Sequence, residues 1–101
     1  MKIPKRLKLG GHVMTVEKID PATIPAALVP EFIGQWDTRA ATLTIMGGQS
    51  ESCEAVTFLH EILEAVSAIY ELELEHPKIS ALAEHLFQVL RDNRLDFGKG
   101  G

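Results

Sequence analysis

One stretch of this chain, Thr57-Phe58-Leu59-His60-Glu61-Ile62-Leu63-Glu64-Ala65, sets a histidine beside two glutamates. These residue types bind divalent metals and move protons. On a helix, with about 100° per residue, Glu64 lies about 40° round from His60 and one turn along, so both side chains address one point. Glu61 lies about 100° round, beside that point rather than on it. Thr57, Ser67 and Ala68 fall on the same side, so the stripe is small and polar, while the large apolar residues take the opposite arc. A helix that needed only a solvated face would more often carry Lys, Arg and Glu there.

The spacing is close to His-Glu-x-x-His, in which two histidines hold zinc and the glutamate between them activates a water. Here Glu64 takes the second ligand position, and Glu is an ordinary zinc ligand. A catalytic zinc site needs a third protein ligand and an open position. His76, just before Pro77, is the best candidate, because extrapolating the following helix backwards sets it on the inward side with Ile79 and Ala83. The expected ligand set is His60, Glu64 and His76, with zinc as the cofactor and Glu61 as the catalytic base. Glu84 and His85 are the rivals to His76. Glu84 reads as surface, and His85 as a residue on the helix flank. His12 reads as a strand or turn residue, Trp36 as a hydrophobic plug over the helices, and Cys53 as a thiol without a metal role. Tyr70 or His85 are candidates to assist at an oxyanion.

These segments carry a family resemblance. Residues Thr57–Ala65, Leu72–His76 and Ile79–Asn93, with Gly10-Gly11-His12-Val13 and Gly34-Gln35-Trp36-Asp37, resemble small phage- and mobile-element-encoded zinc-peptidase-like proteins. That group sits near the ImmA/IrrE and SprT-like metallopeptidases. The resemblance implies a minimal zincin-like fold and peptide-bond hydrolysis. It also implies that a Glu at the second motif position goes with a His near the start of the next helix, as His76 stands here.

The elements that must hold these residues can be read from periodicity. Residues His12–Ile19 and Thr42–Met46 alternate as strands do, and Gly10-Gly11 and Gly47-Gly48 mark turns. Pro21, Pro25, Pro30 and Gly34 argue against a long regular element over 21–38. From Glu51 to Leu72 apolar residues recur every three or four positions, with Ser50 or Ser52 as N-cap and Glu51 and Glu54 in the first turn. Leu72–Glu75 marks a break. Pro77 opens a second helix that runs to about Asn93, which is read as its left-handed end. The predicted fold is α+β: a short antiparallel sheet of two or three strands, then two packed helices. One domain spans 1–101, with a basic tail over 1–9 and a flexible tail over 94–101.

Composition bounds the function. The chain has 101 residues, of which 46% are hydrophobic and 24% charged, the balance of one globular domain. A single cysteine rules out an internal disulfide or a multi-Cys zinc site. No apolar run approaches the roughly 18 residues of a membrane span, and the basic start is not followed by an apolar leader segment. A cytoplasmic protein is expected. Net charge is −4, and Lys2, Lys5, Arg6 and Lys8 crowd the first ten residues, leaving −8 on the remainder. Lys78 is the only base within 51–90, which argues against a helix-turn-helix DNA binder. The expected partner is a peptide or protein, either as substrate of a minimal zinc metallopeptidase or as ligand of a non-catalytic interaction module. The strand Thr42–Met46 is expected to offer an edge to such a peptide.

Overall fold

The computed structural model describes residues 2–20, 22 and 42–95, and the backbone of 34–37. The order is β1 (Arg6–Leu9), β2 (His12–Ile19), β3 (Gly34–Asp37), β4 (Thr42–Met46), α1 (Glu51–Ile69) and α2 (His76–Asp92). The α+β class follows the periodicities. The sheet departs from expectation in number and direction: it has four strands in the order β1-β2-β4-β3. The β1–β2 and β3–β4 pairs are antiparallel, but β2 and β4 run parallel, with Val16 opposite Leu43. Alternation along a strand sets which face is buried, not which way its neighbour runs. A parallel pair needs a long crossover, and the segment between β2 and β4 supplies one.

β1 also lies inside the expected basic tail. Leu7 and Leu9 turn inward while Arg6 and Lys8 stay exposed, so the cluster of bases is partly the outer row of an edge strand. Charged residues on such an edge discourage pairing with another chain. Gly10 and Gly11 close the β1–β2 turn at φ +57° and +82°, which suits a two-residue hairpin. The Tyr70 hydroxyl packs over Gly10, only 2.9 Å from where a Cβ would stand.

One face of the sheet is covered. Leu9, Met14, Val16, Leu43 and Ile45 pack against Phe58 and Ala65 of α1, with Ile62, Val66 and Ile69 beside them. A second cluster joins the helices: Ala55 and Leu59 of α1 meet Ala83 and Phe87 of α2. α1 is therefore the middle layer. The Ser50 hydroxyl caps it by accepting from the Cys53 N–H at 3.2 Å, worth about 1 kcal/mol. Lys18 of β2 pairs with Glu54 in its first turn at 2.9 Å. α1 ends at Ile69, three residues short of the predicted Leu72. At the end of α2 the left-handed residue is Arg94, not Asn93, and Asn93 instead donates its side-chain amide to the Val89 carbonyl. Residues 96–101 and the Trp36 side chain lie outside the described residues, so the expected flexible end and hydrophobic plug fall there. Among the described residues no helix is long and apolar enough to cross a membrane.

Ile79 and Ala83 are fully buried, as the inward face of α2 requires. Ile79→Ala is expected to lower unfolding free energy by about 2–5 kcal/mol, because it empties a closed site. Val13→Thr, on the open face of the sheet, should change it by less than about 0.5 kcal/mol. Urea denaturation of both variants checks the pair.

Candidate metal centre

Two of the predicted ligands come from one turn of α1. His60 and Glu64 share a face because four residues complete slightly more than one helical turn. The third, His76, is the first residue of α2 and is exposed, not buried on the inward side with Ile79 and Ala83 as expected. The structure brings the three together: one ligand atom from each lies within 4.8 Å of the others. The His60 and His76 rings stand edge to face, with centroids 4.7 Å apart and planes at 61°. Donors around a tetrahedral zinc with bonds of about 2.0–2.1 Å sit about 3.3–3.4 Å apart. Two imidazoles and a carboxylate are the donor chemistry that zinc takes, so these residues fit such an ion.

The rest of the constellation is ordered by burial. Glu61 is only 8% exposed. It lies on the flank of α1 that carries Phe58 and Ala65, at spacings of three and four, so packing on the sheet encloses it. Edge strand β3 also lies against α1. Burial, and secondarily the negative charge of Glu64, push the Glu61 carboxyl up to about 7. His60 is shifted the other way. Burial is the main cause and neighbouring His76 adds to it, while Glu64 opposes both. A lowered pKa keeps the imidazole neutral and its lone pair available to a metal.

The link between the helices positions His76. Glu71 and Glu73 both adopt φ +54°, a conformation that costs about 1–3 kcal/mol at a non-glycine residue. Ser67 holds the link in place. Its carbonyl accepts from the Leu72 N–H at 2.9 Å, and its hydroxyl from the Leu74 N–H at 3.0 Å. Sequence reading sets Ser67 on the metal-facing stripe for its small size. Its structural work is to anchor the loop, and no local motif announces that. Ser80, one turn beyond His76, brings its hydroxyl to 3.5 Å from His60 Nδ1. The signal was its spacing of four from His76, on the same face of α2.

A shallow groove of about 430 Å³ opens beside Glu64, lined by Glu64, Ser67, Ala68, Glu71 and Glu73. The other named residues stand apart. His85 Nδ1 bonds to the Ala81 carbonyl within its own helix, and Glu84 is exposed. The Tyr70 hydroxyl is at the β1–β2 turn, about 15 Å along the helix from His60, which removes it as an oxyanion helper, and His85 is not part of the His/Glu/His group. Cys53 is free and exposed, outside the His/Glu/His group. β4 is paired on both sides, by β2 and β3, so it cannot receive a peptide as expected. No protein-family model, no curated protein and no solved structure matches the chain.

The buried Glu61 has a thermodynamic signature. Its folded pKa, near 7, lies above the unfolded value of 4.5. The folded state therefore holds a proton that the unfolded state has lost, and stability falls as pH rises from about 4.5 to 7. The full loss is on the order of 3 kcal/mol. In metal-free protein, Glu61→Gln should flatten this dependence and be the more stable variant at pH 8. Guanidinium titrations of both proteins at pH 5 and pH 8 check the sign.

Proposed function

We propose that the chain is a minimal zinc-dependent metallopeptidase of the cytoplasm, akin to the small zinc-peptidase-like proteins of phages and mobile elements. The observation that carries this reading is the meeting of His60, Glu64 and His76 at one point, with the buried Glu61 next in sequence to a ligand. A zinc ion held there supplies Lewis acidity and lowers the pKa of a water it carries. Neutral His60 offers a lone pair, His76 brings a second imidazole from the other helix, and Glu64 contributes charge. Glu61, beside the ligands on α1, is suited by its chemistry to accept a proton from the attacking water and return it to the departing amine. The groove beside Glu64 gives room for a substrate side chain. Its carboxylates from Glu64, Glu71 and Glu73 disfavour phosphate esters and nucleic acid, and suit neutral or cationic peptide.

One feature favours a second reading, a non-catalytic interaction module. Glu61, the candidate base, is enclosed at 8% exposure on the sheet side of α1, which hinders its access to a water on an ion. The experiment that separates the two uses protein purified without chelator or affinity tag. Bound zinc is measured by elemental analysis, and cleavage with a broad peptide library. Wild type should bind about one zinc and cleave. Glu61→Gln should keep the zinc and lose nearly all cleavage, because the amide accepts no proton. His60→Ala and His76→Ala should each lose the zinc. Stoichiometric zinc without cleavage supports the module, and cleavage that survives Glu61→Gln removes Glu61 as the base.

A further inference from the structure

We infer that Ser80 is a positioning residue for the metal: its hydroxyl accepts the Nδ1 proton of His60 and so presents Nε2 to the ion. The inference rests on the metal-binding reading and assigns a residue and a ring nitrogen within it. The geometry comes from both helices. His76 and Ser80 are four apart on α2, so they face α1 together, one turn above the other. His76 meets the His60 ring edge to face at 4.7 Å, and Ser80 Oγ meets the same ring at Nδ1, 3.5 Å away. Ser80 and His60 are both half-buried.

The chemistry of a neutral imidazole completes the argument. Of its two ring nitrogens, one carries the proton and the other the lone pair. A serine hydroxyl can either donate or accept. If it donated to Nδ1, the proton would sit on Nε2 and neither nitrogen would be free for a metal. Metal binding therefore selects the other arrangement, with Nδ1–H donating to Ser80 Oγ and the Nε2 lone pair on the ion. Partners of this kind fix the ring's tautomer and orientation and raise its basicity. α2 then supplies a ligand from its first residue and an orienting group from its second turn.

The test uses the full chain with Ser80→Ala and Ser80→Thr. Zinc affinity is measured against a competing chelator, the metal-free melting temperature by circular dichroism, and the state of each His60 nitrogen in zinc-loaded protein by long-range proton–nitrogen correlation. Ser80→Ala should weaken zinc binding roughly 10- to 100-fold with the metal-free melting temperature unchanged, and Ser80→Thr should restore it. Zinc-loaded wild type should show a protonated Nδ1 and a metal-shifted Nε2 at His60. Zinc-loaded wild type with Nδ1 on the metal, or Ser80→Ala with wild-type affinity, overturns the role of Ser80 and leaves the metal site standing. Failure of wild type to bind zinc overturns the site itself, and Ser80 with it.

Discussion

The position of α1 between a sheet and a second helix governs everything else in this molecule. A helix has one circumference, and two packing partners consume most of it. Phe58, Ile62, Ala65 and Ile69 face the sheet, and Ala55, Leu59 and Leu63 face α2. What is left is a narrow arc holding Thr57, His60, Glu64 and Ala68. His60 stands on its α2 side, where the next helix can reach it. Glu61 stands at its sheet side, where packing encloses it. The difference in environment between two neighbours in sequence follows directly from the 100° between them.

That placement concentrates unusual electrostatics. The carboxyl that titrates near 7 and the imidazole held below its ordinary pKa are adjacent residues. Each shift has burial as its first cause, and each is modulated by Glu64, which raises both. The Lys18–Glu54 and Arg91–Asp92 ion pairs lie elsewhere on the surface. A divalent cation would supply charge where Glu61 and Glu64 repel one another. Perturbed groups gathered in one place are a common mark of function, since a structure selected for stability alone would replace them with apolar residues.

The sequence was legible where a feature repeats locally. Three- and four-residue periodicity found both helices, the pair Ser50 and Ser52 bracketed the start of α1, where Ser50 is the cap, and Pro77 marked the start of α2. The helical wheel gave the His60–Glu64 face, and the backward extension of α2 brought His76 near it but set it too far inward, since His76 is exposed. Legibility failed where the determinant is distant in sequence. The parallel pairing of β2 with β4 depends on the path of the intervening chain. Strand β1 hides among Lys5, Arg6 and Lys8, because charge on an edge strand reads like a solvated tail. The wheel places Glu61 beside the ligands but cannot show that the sheet closes over it. Ser67 looks like an ordinary small residue until the loop is in place.

The division of the three candidate ligands between two helices sets a final constraint. His60 and Glu64 are held to each other by the pitch of α1, whatever α2 does. His76 reaches them only if α2 docks at the right height and distance. Ala55 and Ala83, both fully buried at that interface, remove the bulk that would hold the helices apart. Ser67 ties the link in a conformation that unconstrained Glu71 and Glu73 would avoid. An ion at this point would join the two helices directly. Its binding energy would then add to the apolar contacts that already dock α2, because a ligand that binds only the assembled state stabilises that state. The candidate centre thus depends on helix packing for its geometry, and a bound metal would in turn reinforce the packing that creates it.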